Sequence, residues 1–108
     1  MAGRALINVP RKAKRGEVIE IKTLISHVME TGQRKDADGK TIPRKIINAF
    51  SAKFAGQEVF SAELFPGISA NPYLSFYFKV PGPGEFEFTW VEDGGAQVVQ
   101  KEKLNVVA

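Results

Sequence analysis

The chain has 108 residues, of which 44% are hydrophobic, 25% charged and 10% aromatic, with a formal net charge of +3 and no cysteine. That length suits one domain around a single core and leaves no room for a second. Without cysteine, disulfides, thiolate metal ligands, thiol catalysis and thiol redox chemistry are excluded together, and the count fits an oxidising or a reducing compartment equally well.

No apolar run is long enough to cross a bilayer, so no membrane contact is expected. The opening MAGRALINVPRKAKRG carries charge, only a brief apolar stretch and no cleavage site. It does not read as a signal peptide, and any export would need help. Basic residues gather in two places: Arg4 with Arg11, Lys12, Lys14 and Arg15, then Arg34 and Lys35 with Lys40, Arg44 and Lys45. No nucleic-acid motif accompanies them, so they read as a solvated cationic face that helps solubility or steers an acidic partner, with no nucleic acid expected.

The hydrophobic period is two almost throughout, and turn signals recur every ten or so residues, which predicts about seven strands. Ala5 to Val9 is the first, closed by Pro10. Val18 to Ser26 is the second, with Ile19, Ile21, Thr23 and Ile25 toward the core and Val18, Glu20, Lys22 and Leu24 on the other face. GQRKDADGKTIP is too rich in Gly, Asp and Lys for a strand. Arg44 to Phe54 follows, with Ile46, Phe50, Ala52 and Phe54 on one face.

Ala55-Gly56 turns the chain into Glu58 to Leu64, where Phe60, Ala62 and Leu64 share a side. FPGISANP then crosses over, because two prolines and a glycine forbid regular pairing. Tyr73 to Val80 alternates Leu74, Phe76, Phe78 and Val80 against Tyr73, Ser75, Tyr77 and Lys79. PGPG turns, Phe86, Phe88 and Trp90 face one way in the next strand, and Asp93-Gly94-Gly95 makes a hairpin into Val98 to Val107. The pattern predicts an all-β, immunoglobulin or fibronectin III-like antiparallel sandwich over residues 1–108, with Trp90 plugging the space between sheets.

Candidate chemistry is sparse. His27, the lone histidine, would need a positioned acid or nucleophile to act as a base; Ser26 and Glu30 are near only in sequence. With Met29 it would be a soft-metal pair lacking further ligands, so no metal and no cofactor are expected. DADGK begins like a calcium loop, but the twelfth position from Asp36 is Ile47 instead of a bidentate acid, which leaves a simple turn. The aromatic content is high for so small a sandwich, so some of these residues are expected on a surface built for a partner. ELFPGISANPYLSFYF is the best candidate: a Pro-bracketed crossover can hold Phe65 and Tyr73 out as anchors, the alternative being core burial of Phe65. An exposed edge strand would offer a second way of docking.

Four stretches, ISHVMETGQRKD, PRKIINAF, LFPGISANPYLSFYF and GEFEFTWVEDGG, occur in order in one register and closely resemble the Z subunit of the Sox sulfur-oxidation carrier complex over essentially the whole chain. The departure is Val28, where the family commonly has proline after the histidine. The resemblance implies a non-catalytic, immunoglobulin-like sandwich that forms a heterodimer with the Y subunit. That subunit's flexible Gly-Gly-Cys-Gly-Gly arm carries the sulfur intermediates of thiosulfate oxidation, and its twin-arginine export takes the folded pair to the periplasm. It also implies transient contact with the other Sox enzymes. The partner-contact residues expected on this reading are His27, Met29, Glu30, Arg34, Lys35, Phe65, Asn71 and Tyr73, with no catalytic residue. The alternatives are a small enzyme using His27 and Glu30, and a generic adhesion or interaction sandwich.

Overall fold

The computed structural model describes residues 5–10, 12–26, 32–65 and 73–107. Eight strands occur in it: β1 (Ala5–Asn8), β2 (Lys12–Lys14), β3 (Val18–Ile25), β4 (Ile47–Phe54), β5 (Gln57–Glu63), β6 (Tyr73–Lys79), β7 (Gly84–Glu92) and β8 (Gln97–Val107). They form a three-stranded sheet in the order β1-β3-β6 and a five-stranded sheet in the order β2-β8-β7-β4-β5. The architecture is the all-β sandwich that the period-two pattern predicts.

The seven expected strands are all present within a few residues of their predicted ends, and the expected core faces point inward. On β3, Ile19, Ile21, Thr23 and Ile25 are buried, as are Phe86, Phe88 and Trp90 on β7. Thr23 joins the core because its hydroxyl donates to the Leu74 carbonyl at 2.9 Å, which removes the penalty for burying it.

Three findings were not legible in the alternation. The first is β2, an eighth strand of which only Ala13 is buried. β2 lies on the edge of β8 away from β7 and pairs there in parallel with its last residues, through Lys12–Asn105, Ala13–Val106 and Lys14–Val107. A single buried alanine between two lysines makes no periodic signal. The second is the start of β4, predicted at Arg44 and observed at Ile47. There the register with β7 shifts between Ile47 and Ala49, so consecutive Ile46 and Ile47 are both fully buried.

The third is where the aromatic residues go. Phe50, Phe54, Phe60, Phe76, Phe78, Phe86, Phe88 and Trp90 form one connected set of ring contacts with centroids 4.7–6.4 Å apart. Phe60 on β5 stacks on Phe76 of β6 at 4.7 Å, and Phe54 on β4 meets Phe78 of β6 at 4.9 Å, so rings of the two sheets interlock. The aromatic excess is therefore mostly core. It leaves Phe65, Tyr73 and Tyr77 exposed.

Two backbone positions depend on this packing and on turn geometry. A Cβ on Gly84 would lie 2.6 Å from Phe54 Cζ, so no other residue fits without moving the ring. Ala55 and Gly56, linking β4 to β5, both take positive φ, 52° and 84°, as a two-residue type I′ hairpin requires. Gly84→Ala is expected to lower the unfolding free energy by about 1–3 kcal/mol through overpacking. Ala55→Asn is expected to raise it by about 0.5–1 kcal/mol, because Asn tolerates the left-handed region better. Urea titration of the three proteins measures both changes, and their opposite signs separate packing from backbone strain.

Candidate interaction surface

Antiparallel pairing brings three connections to one end of the sandwich. β3 ends with Ile25 opposite Ala5, β5 ends with Glu63 opposite Ala49, and β7 ends with Glu92 opposite Ile47. Of the segments that leave these ends, 26–46, 64–72 and 93–96, the described residues 44–46, 64 and 93 are tied together there, Asp93 to Arg44 and Ile46, and Leu64 to Asn48. Arg34, Lys35, Phe65 and Tyr73 are carried by or border the first two. His27, Met29, Glu30 and Asn71 belong to the same connections but lie outside the described residues.

Asp93 organises this end. Its carboxylate accepts from Arg44 Nε at 2.8 Å and Nη2 at 2.9 Å, a two-pronged pair, and also from the Ile46 N–H at 3.1 Å and Asn48 Nδ2 at 3.0 Å. Its own N–H donates to the Ile46 carbonyl at 2.8 Å. The residue that closes β7 thus holds the approach to β4, 45 or more positions earlier. Lys45 adds an ion pair at 3.2 Å to Glu92, whose side chain is buried. Hydrogen bonds from the Arg44 guanidinium, opposed by partial burial and helped by Asn48 and the Ile46 N–H, hold the Asp93 carboxyl well below the usual carboxylate range.

The second cationic cluster therefore divides. Arg44 and Lys45 are committed to ion pairs, whereas Lys35 and Lys40 are exposed on a small hairpin. A bridge between Lys35 and Thr41 and a hydrogen bond from the Ile42 N–H to the Arg34 carbonyl at 2.8 Å form its stem. At its tip Asp36 Oδ1 accepts the N–H groups of Asp38 and Lys40 at 2.9 and 3.0 Å, and Gly39 takes φ 79°. The aspartate of DADGK is thus occupied by backbone, as the simple-turn reading requires. Among the described residues, no group of three His, Cys, Asp or Glu side chains is placed to hold a metal ion.

Phe65 is not buried in the core, so the alternative of core burial falls away. Leu64 is buried and its N–H donates to the Asn48 carbonyl at 2.8 Å, whereas Phe65 is 63% exposed and Tyr73 56%. Sequence reasoning missed the neighbours of Tyr73. Leu6 pairs with Leu24 and Leu24 with Tyr73, so three apolar side chains form one row across the outer face of the small sheet. They line an open hollow of about 290 Å³ together with Asn8 and Lys22. The available signal was an apolar residue at an outward position in each of three strands, but only the pairing register aligns them. The end presents aromatic and aliphatic contacts beside cations, a surface chemistry of recognition.

Compared with known proteins, the chain matches the family described as "Sulphur oxidation protein SoxZ" over residues 7–103. No curated protein sequence matches it. Solved structures with a similar fold include superoxide reductase (neelaredoxin) from Ignicoccus hospitalis. One form has 14% identity, a TM-score of 0.74 and coverage of 97% of this chain and 81% of that one. Another has 15% identity, a TM-score of 0.73 and coverage of 98% and 82%. At such identities the likeness is one of fold alone.

The Asp93 clamp makes stability depend on acid. Its folded-state pKa is depressed relative to the unfolded chain, so its contribution is present in full above the ordinary carboxylate range near about pH 4 and is lost as pH falls toward the folded value. Asp93→Ala is expected to cost about 1–3 kcal/mol at neutral pH, the range for partners left without an acceptor. The variant's unfolding free energy should also fall less steeply than the native protein's below about pH 4. Denaturant titrations across that window check both.

Proposed function

The chain belongs to the SoxZ family of sulphur oxidation proteins, and from that premise we propose that it is the non-catalytic, structural subunit of a heterodimeric sulfur carrier in thiosulfate oxidation. Its partner on this reading is the Y subunit, whose C-terminal cysteine arm holds the covalent intermediates. The pair works in the periplasm, reached by co-export with that partner, and meets the other Sox enzymes transiently. One observation carries the proposal: a chain that matches a sulfur-oxidation family over residues 7–103 contains no cysteine. It has no thiolate on which sulfur could be carried, so the carrying group must come from another chain.

The loop end supports a binding role. Phe65 and Tyr73 stand out as aromatic anchors, and the row Leu6–Leu24–Tyr73 extends the apolar contact available to a partner. His27, Met29, Glu30 and Asn71 complete the proposed contact set on the same two connections. Lys35, with Arg34 beside it and Lys40 on the same hairpin, supplies positive charge toward an anionic thiosulfonate-loaded arm and toward enzymes that must approach it.

Three measurements test this. Intact-mass analysis of the purified chain after treatment with thiosulfate and an oxidant should show no sulfur adduct; a stable one would overturn the structural role. The double change Phe65→Ala with Tyr73→Ala should weaken the complex with the Y subunit at least tenfold, about the loss expected for one hot-spot residue, while leaving the isolated chain folded. Lys35→Glu with Lys40→Glu should preserve folding and heterodimer formation and slow thiosulfate turnover in the reconstituted system. That slowing should shrink with added salt, since steering is screened over about 8–10 Å at moderate ionic strength. Turnover of a sulfur compound by the isolated chain, lost in His27→Ala, would instead favour an enzyme.

A further inference from the structure

Sheet edges attract unwanted strands, and most of those here carry a protective device. β1 has four residues and runs into Val9-Pro10, β2 has three, and β5 faces a register irregularity at Ala52 and Lys53 and carries Glu58 and Glu63. The side of β8 left open beyond β2 bears Lys101, Glu102 and Lys103. β6 differs. Among the described residues it is the end strand of the small sheet, seven residues long, with no Pro, no Gly, no register irregularity and a single charge, Lys79, at its last position.

The hydrogen-bond alternation tells which backbone groups of β6 are spent. The Val80 N–H donates to the Glu17 carbonyl at 2.9 Å, and the Val80 carbonyl accepts the Gly16 N–H at 2.7 Å, so residue 80 points its backbone at β3. The Leu74 carbonyl accepts the Thr23 hydroxyl and therefore also points at β3. Between them the register runs unbroken from Val18–Lys79 to Leu24–Tyr73. Leu74, Phe76 and Phe78 thus spend their backbone groups on β3, and Tyr73, Ser75, Tyr77 and Lys79 aim theirs outward. The side chains of those four lie on the exposed face, with Tyr77 74% exposed.

We propose that β6 is a homodimerisation edge, at which two copies of the chain join antiparallel through Tyr73–Lys79 about a two-fold axis at Phe76. In that register every outward-aimed residue meets another, Tyr73 with Lys79 of the second copy and Ser75 with its Tyr77, for about eight new backbone hydrogen bonds. The strand is complementary to itself. Its cation faces a tyrosine ring instead of its own copy, where the lysine stem and charge pack on the aromatic face, and a small serine faces a large tyrosine. The product is one continuous sheet in the order β1-β3-β6-β6-β3-β1, with both cores undisturbed because Phe76 is buried on the inner side. A second copy is favoured over a foreign strand because this complementarity is written in β6 alone. The inference goes beyond the proposed function and does not rest on it.

The isolated full-length chain tests it. Sedimentation equilibrium should show a reversible monomer–dimer equilibrium. Amide hydrogen exchange followed by NMR should slow at Tyr73, Ser75, Tyr77 and Lys79 in step with the dimer fraction, while Leu74, Phe76 and Phe78 are protected at every concentration. Ser75→Pro removes an outward N–H and leaves the ladder to β3 intact, a position at which an edge strand accepts proline. It should weaken dimerisation at least tenfold. Tyr77→Lys, which keeps every backbone group and adds an edge charge, should do the same and covers the case in which proline disturbs the strand. A chain that remains monomeric as concentration rises, a dimer in which those four amides exchange as fast as in the monomer, or a dimer unaffected by Tyr77→Lys would each overturn the proposal.

Discussion

The contact on which the rest of this structure depends is the meeting of phenylalanine rings across the two sheets. A three-stranded sheet buries one face only if something covers it, and here the cover is aromatic: Phe60 on Phe76, Phe54 on Phe78, and Phe78 against Phe86. Such pairs add about 0.5–1.5 kcal/mol each beyond the area they remove from water. They also fix geometry, since the rings set how far apart the sheets lie and how their strands align. The absence of a side chain at Gly84 follows from the same constraint.

Alignment of the sheets also brings the described ends of three connections, residues 44–46, 64–65 and 93–96, to one end of the sandwich. A long polar segment would ordinarily wander. Instead its last part is caught by Asp93, which hydrogen-bonds Arg44, Ile46 and Asn48 at once. Glu92 takes Lys45. The scaffold therefore presents Phe65, Tyr73 and the Lys35 hairpin from a fixed base.

The sheet margins divide the molecule in the same sense. On the outer face of the large sheet, Glu58, Lys53, Glu87 and Lys101 follow one another across four strands with alternating sign, a solvated surface that gives a partner little to hold. The small sheet is the opposite. Its outer face carries Leu6, Leu24, Tyr73 and Tyr77, and among the described residues no strand pairs with the far side of β6. The contrast is one of degree, since Val59 on β5 and Val99 on β8 leave some apolar surface on the large sheet as well.

By itself the sequence determined what is local. Alternation along ten or fewer residues settled seven strands, their inward faces and the core positions of Phe50, Phe86, Phe88 and Trp90, because a pleated strand must bury every second side chain. Ala55-Gly56 and Asp93-Gly94-Gly95 marked hairpins for an equally local reason, the need for positive φ. Four ordered stretches also sufficed for the family resemblance. Tertiary structure alone decided what depends on residues distant in the chain: β2 exists only because β8 offers it an edge on the side away from β7, and Phe65 is exposed because Leu64 takes the inward place. Asp93 became a clamp only when β7 brought it beside β4, and Leu6, Leu24 and Tyr73 became a surface only through the register of three strands. Periodicity reports which way a side chain points, but pairing decides what it meets, and pairing is set by the packing of the whole sandwich.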